Sequence, residues 1–159
     1  MTHPERIVVV GASAAGAGAA HALRSAGYGG TLLLVGEERD LPYDRPPLSK
    51  QALLGPWQPQ SLQLFDSAEY DRLGIDLMLG RRAVQLDIET RALQLEDGER
   101  LNFDGLIIAT GSSARSLPWL SSSPNVHSVR TIKDAIKLRR VLESKNTRLA
   151  VIGAGFVGT

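Results

Sequence analysis

Two short glycine turns hold the residue types in this chain best suited to grip a charged ligand. Val8–Gly16 reads VVVGASAAG, a G-x-S-x-x-G turn between an apolar run and an alanine-rich run. Val151–Gly158 reads VIGAGFVG, a full G-x-G-x-x-G after a second apolar run. Such a turn opening a helix presents main-chain N–H groups to a pyrophosphate, and its side chains must be small for phosphate oxygens to approach. Ser13 stands where the first turn wants its second glycine; its hydroxyl can donate, and its Cβ crowds the approach. One such turn is a weak signal. Two, about 140 residues apart, imply two dinucleotides: a tightly held redox cofactor and an exchanging nicotinamide. Glu37 lies about 20 residues beyond Gly16, where the fingerprint places a carboxylate for ribose hydroxyls. Glu38 beside it leaves that assignment one residue wide, and Glu37 is the preferred reading.

A third stretch, LPYDRPPLSK at 41–50, sets three prolines around Arg45 and ahead of Lys50. The prolines are expected to preset an extended path, so that less entropy is lost when the loop is ordered against a ligand. Solvated surface charge is the plain alternative for Arg45 and Lys50.

The elements that must position these residues follow from periodicity. Arg6–Val10 and Thr31–Val35 read as buried strands around a helix at Ala14–Ala26 that Gly27 ends, a βαβ unit with a parallel pair. Residues 36–60 read as a proline-rich loop with one helical turn near Ser49–Leu54, and Asp66–Leu73 as a short helix. Val84, Leu86 and Ile88 alternate with Gln85, Asp87 and Glu89. Leu93, Leu95, Leu101 and Phe103 continue the alternation around an Asp97-Gly98 turn, giving a small antiparallel meander. Leu106–Ala109 returns to a central strand, and Ser112–Asn125 reads as a linker. Thr131 and Asp134 form a capping pair for a helix whose stripe is Ile132, Ala135, Leu138 and Leu142. Arg148–Thr159 restarts strand and glycine turn.

The composition narrows the partners. The 159 residues are 43% hydrophobic and 22% charged with a net charge of +1, which gives no reason to expect nucleic acid or an acidic membrane. No apolar run approaches the roughly 20 residues needed to cross a bilayer. No signal-peptide pattern opens the chain, so a cytoplasmic protein is expected. There is no cysteine, hence no disulfide, thiolate metal site or cysteine redox chemistry. His3, His21 and His127 are scattered, no metal-ligand cluster appears, and Trp57 and Trp119 beside Pro56 and Pro118 read as packing residues.

GASAAG, LPYDRPPLSK, LIIATGS and VIGAGFVG occur in an order and spacing that resembles the FAD-dependent, NAD(P)H-using ferredoxin and rubredoxin reductases. The likeness is greatest to reductase components of bacterial aromatic-ring dioxygenase and cytochrome P450 systems. It implies an α/β chain: a Rossmann-like FAD-binding domain with a parallel sheet and an antiparallel meander at 1–111, then a linker and the start of a Rossmann-like NAD(P)-binding domain at 112–159. It implies FAD and NAD(P)H as cofactors and a ferredoxin or rubredoxin as electron acceptor. Gly11, Ser13, Ala14, Ala15 and Gly16 would surround the FAD pyrophosphate and Glu37 the adenosine ribose. Arg45 and Lys50 would lie along the FAD, with Lys50 near the flavin ring as the catalytic candidate. Ala83 would touch the adenine region through its backbone, Thr110 and Gly111 would end a strand near the cofactor, and Arg130 would reach the flavin side. Gly153, Gly155 and Gly158 would open the NAD site. A fixed cation near the ring favours the negative charge that reduction brings.

Two departures qualify the likeness. After ATG the family often carries an arginine, a proline and another basic residue, whereas ATGSSARSLP leaves only Arg115. The resemblance covers the whole chain but only an N-terminal portion of such a reductase, and that portion alone is not expected to complete turnover. Disulfide reductases share the two-fingerprint plan but need a cysteine pair, which this chain lacks; flavin monooxygenases lack the proline–lysine loop. A non-catalytic flavoprotein of apoptosis-inducing-factor type, acting through partner binding, is the alternative of another class. Lys133, Lys137, Arg139 and Arg140 read as a wet helix face that could also meet an acidic ferredoxin.

Overall fold

The computed structural model describes residues 4–115, 123–144, 147–153 and 155–158. In chain order the first elements are β1 (Arg6–Val10), α1 (Ala14–Ser25), β2 (Thr31–Gly36), a 3-10 turn (Pro46–Ser49), α2 (Gln51–Leu54) and a second 3-10 turn (Pro59–Leu62). There follow α3 (Ser67–Arg72), β3 (Ile75–Leu79), β4 (Ala83–Asp87), β5 (Ala92–Leu95), β6 (Arg100–Asn102), β7 (Gly105–Ile108) and α4 (Ile132–Leu142). The chain divides into two compact units, Met1–Asp44 with Gln63–Gly111, and Arg45–Leu62 with Ser112–Thr159.

The first unit is built on a parallel sheet of order β3-β2-β1-β7. Its central strands are continuous apolar runs because both faces are covered. Ile7, Val9, Leu32 and Leu34 point to the face packed by Ala17 and Ala20 of α1, Tyr70 of α3 and Ile75. Val8, Val10, Leu33 and Val35 point to the other, against Leu93, Leu95 and Leu101 of the antiparallel sheet β4-β5-β6. The alanines of α1 let its backbone approach the sheet closely, and Ala17 and Ala20 are fully buried. Arg24 fastens the C-terminal end of this helix. Its guanidinium donates to the carbonyls of Tyr28 (2.6 Å), Gly30 (2.8 Å) and Gly74 (2.6 Å), and it lies over the Tyr28 ring at 5.4 Å.

In the second unit α4 opens with the expected capping box: Thr131 accepts from the Asp134 N–H, and Asp134 accepts from the Thr131 N–H. Its buried stripe of Ile132, Ala135 and Leu138 faces the 3-10 turn and α2, which contribute the buried Leu48 and Ala52. Arg139 closes this small core by donating to the carbonyls of Ala52 and Gly55 and to Glu143.

Five expectations need correction. Nothing was expected at Ile75–Leu79, yet β3 pairs in parallel with β2 at one edge of the sheet. Leu106–Ala109, expected as a central strand, is β7 at the other edge of the sheet among the described residues, with Ile108 exposed. The alternation at 84–88 does not form one apolar face: a register shift between Ala83 and Gln85 turns Val84 outward, Ile88 follows the strand, and both are exposed. The proline loop is not extended. Pro46 and Pro47 open the 3-10 turn, where a fixed φ suits a helical start and the missing N–H costs no bond. Finally, Arg148–Gly153 forms no strand, having no neighbouring strand to pair with among the described residues. Trp119, Pro118 and Thr159 lie outside the described residues.

His21 is structural, stacked on Phe65 at 5.0 Å, and Phe65 in turn meets Tyr70 edge-on at 5.9 Å. The Tyr70 hydroxyl is buried without a hydrogen-bond partner among the described residues, and burial pushes its pKa from 10.0 up to about 12. Between those values the unfolded chain has lost the proton and the folded chain keeps it, so stability present in full below pH 10 falls as the pH rises toward 12. Tyr70→Phe is expected to remove that share of the alkaline loss and to be neutral or stabilising by about 1 kcal/mol at neutral pH, because no bond is lost. Denaturant melts followed by circular dichroism across this range check both statements; a large loss of stability at neutral pH would contradict the unpartnered hydroxyl.

Candidate dinucleotide site

The connection after β1 runs to β2 on one side while β7 lies on the other, so the turn after β1 sits at the sheet's switch point, where α/β proteins bind ligands. Gly11 makes the turn. Its φ is +111°, its N–H donates to the Val35 carbonyl at 2.8 Å, and a Cβ there would lie 2.1 Å from the Ala109 carbonyl oxygen. Gly16 closes it, since a Cβ would lie 1.9 Å from the Gly11 carbonyl oxygen. Ser13 takes the N-cap position with an extended φ of −137° that any residue adopts, so its presence costs the turn no strain. Its side chain makes no capping bond, and the first turn of α1 carries no acidic residue. Ala14 and Ala15 are exposed. An anion at this helix start would meet small side chains and positive dipole without a competing carboxylate. These residues fit a pyrophosphate.

Other predicted residues gather along the same edge of the sheet. Glu37 follows β2 directly, is exposed, and has the Arg82 guanidinium 3.5 Å away. Glu38 is engaged instead by the Tyr43 hydroxyl at 2.6 Å, which separates the two acids that the sequence left adjacent in role. Ala83 begins β4, just after Arg81, whose N–H donates to the Gly36 carbonyl at 2.8 Å. Thr110 and Gly111 leave β7 exposed, with Gly111 at φ +68°. Sequence reasoning missed Gly36, where a Cβ would lie 2.5 Å from that of Ala12. It also missed Tyr43, which is 2% exposed and pairs with Gln63 in an isolated bridge. An aromatic residue ahead of a proline pair in a polar loop was the available signal for Tyr43.

The remaining predicted residues belong to the second unit. Arg45 donates from Nη1 to the Arg130 carbonyl at 2.6 Å, and the Arg130 N–H donates to Asp134, so two of the expected cations meet through main chain. Lys50 is exposed at the junction of the 3-10 turn and α2, its carbonyl accepting from Leu53 and its N–H donating to Pro47. Trp57 is half-buried in an open cleft with Gln51, Pro56, Gln58, Ser61 and Arg139. The turn at Gly153 repeats the first one: φ is +113°, and a Cβ at Gly158 would lie 2.0 Å from the Gly153 carbonyl oxygen. A Cβ at Gly155 would meet nothing, so the fold does not demand glycine there.

A parallel sheet of this order, with a glycine turn at its switch point, defines a Rossmann-like dinucleotide-binding α/β fold. Residues 5–159 match the family described as pyridine nucleotide-disulphide oxidoreductase, and the chain belongs to it. It is 41% identical, over 96% of its length, to the ferredoxin–NAD(+) reductase component of the p-cumate 2,3-dioxygenase system of Pseudomonas putida. It is 40% identical, again over 96%, to rhodocoxin reductase of Rhodococcus erythropolis. Among solved structures it is similar to the reductase in a covalent putidaredoxin reductase–putidaredoxin complex, with a TM-score of 0.83 and 34% identity over 89% of this chain. The chain spans only 38%, 36% and 35% of these three proteins.

Gly16→Ala is expected to destabilise the first unit by about 1–3 kcal/mol, since the carbonyl it strikes is backbone. Gly18→Ala, two residues along the same helix with nothing near its Cβ, is expected to stabilise by about 0.5–1 kcal/mol. Thermal melts of the two variants side by side test the turn; equal behaviour would contradict the close approach.

Proposed function

We propose that this chain is the FAD-binding portion of a flavoprotein oxidoreductase that passes electrons from NAD(P)H through FAD to a small iron–sulfur protein, a ferredoxin or rubredoxin serving an oxygenase. The observation that carries the reading is 41% identity along nearly the whole chain to a ferredoxin–NAD(+) reductase component. The switch-point turn supports it independently. So does the lack of cysteine, which denies these residues the dithiol chemistry in the family's name.

Bound FAD supplies two-electron acceptance from a nicotinamide and release of single electrons. Gly11, Ser13, Ala14, Ala15 and Gly16 would hold its pyrophosphate with main-chain N–H groups, and Glu37 its ribose. Ala83, Thr110 and Gly111 would border it, and Arg45, Lys50 and Arg130 would lie along it. Gly153, Gly155 and Gly158 would receive the nicotinamide coenzyme. Lys50, exposed and carried on a helical turn, is the residue we assign to steady charge at the reacting ring. We assign 1–111 to the FAD domain and 112–159 to a linker and the start of the NAD(P) domain; the unit boundary after Gly111 supports this, while residues 45–62 belong to the same compact unit as 112–159. A cytoplasmic location belongs to the same proposal, because its donor is a reduced nicotinamide of the cell interior. No described helix is long and apolar enough to cross a membrane.

The full-length protein is expected to be yellow with bound FAD and to reduce a ferredoxin with NADH or NADPH, whereas residues 1–159 alone are expected to show no such turnover. A colourless full-length protein with no affinity for FAD would overturn the proposal. Lys50→Met should keep FAD but slow its reduction about 10–100-fold, read by stopped-flow absorbance. Glu37→Gln should weaken FAD binding about tenfold, read by fluorescence titration.

A further inference from the structure

Charge is sorted between the two units. Residues 45–62 and 112–159 hold ten Lys/Arg against two Asp/Glu, while the rest of the chain holds eight against fifteen. The two acids of the basic unit are already engaged, Asp134 by the N–H groups of Arg130 and Thr131 and Glu143 by Arg139. Lys133, Lys137 and Arg140 lie at i, i+4 and i+7 of α4 on the side away from Ile132, Ala135 and Leu138, and all three are exposed. None of them makes an ion pair with a described residue. The stripe is about 10 Å long and continues past Arg140 into the exposed Val141, which adds an apolar contact.

We propose that this face of α4 is a docking surface for an acidic protein, and, resting on the function proposed above, that the acidic protein is the iron–sulfur electron acceptor. Three uncompensated cations on one rigid helix raise the encounter rate with a negatively charged partner and fix its orientation, while contributing little to the stability of the helix. The stripe suits a small acidic protein better than nucleic acid. It is one helix long, and the chain as a whole carries only +1, against the broad basic surface that a polyanion needs.

The test uses the full-length protein and the triple variant Lys133→Glu, Lys137→Glu, Arg140→Glu, with an acidic [2Fe–2S] ferredoxin as probe. Binding is measured by calorimetry with both proteins oxidised, so it reads docking whether or not electrons pass. At low salt the dissociation constant is expected to rise at least about tenfold in the variant and to lose most of its salt dependence. NADH-driven reduction of neutral 1,4-benzoquinone should stay within about twofold, since the substituted residues are assigned no part in the flavin chemistry. Unchanged affinity and salt dependence would overturn the docking surface, as would tighter binding of a short DNA duplex than of the ferredoxin. The variant Lys133→Ala, Lys137→Ala, Arg140→Ala should fall between wild type and the charge reversal, and Arg140→Lys should bind as wild type. If the unaltered protein binds ferredoxin but shows no NADH-driven reduction, the proposed activity fails while the docking surface stands.

Discussion

The end of β1 has no room for side chains. Gly11 is pinned by its N–H to the Val35 carbonyl on one side and sits against Ala109 on the other, and Gly16 rests on the Gly11 carbonyl. At Gly36 the obstacle is a side chain, since a Cβ there would lie 2.5 Å from that of Ala12. These contacts hold the start of α1 close against the ends of β2 and β7. Glu37 follows the end of β2 directly and Thr110 lies two residues beyond the end of β7, so their places depend on the same packing. A site that recognises an anion mainly through main-chain N–H groups needs such a constraint, because no long side chain is available to adjust the fit.

That constraint is local, which is why it was legible. Among the described residues the turn at Gly153 has no paired strand before it, yet it repeats the positive φ and the closing approach of the turn at Gly11. Glycine spacing alone therefore specifies the turn, and the sheet adds only what surrounds it. The apolar runs of β1 and β2 were readable for a similar reason, since burial on both faces leaves nothing polar to confuse them. What could not be read depended on distant partners. β3 is an edge strand carrying Asp76, and only its register with β2 makes it a strand. The outward turn of Val84 comes from a shift against β5, which no property of residues 83–88 announces.

The proline loop shows how a right expectation of rigidity can carry a wrong expectation of shape. Prolines restrict φ to a value shared by extended and helical backbone, so the restriction is visible in sequence and the choice between the two is not. Here the choice is helical, and Leu48 and Ala52 supply the buried side chains that hold it. Entropy is still removed from the unfolded chain, but by presetting a helical turn.

The same loop gives its two cations different tasks. Asp134, in capping α4, also takes the Arg130 N–H, and the Arg130 carbonyl then takes the Arg45 guanidinium. The helix cap and the loop are thereby joined through one residue, and part of Arg45's donor capacity is spent on main chain. Lys50, five residues on, contributes only its backbone to the turn and keeps its side chain exposed. An arginine, with its several fixed donors, can hold a loop and still present charge; a lysine is a point charge on a flexible stem. The sequence order of Arg45 then Lys50 thus places the residue suited to fastening where fastening is needed, and leaves the residue whose charge can move with its side chain exposed where the turn meets α2.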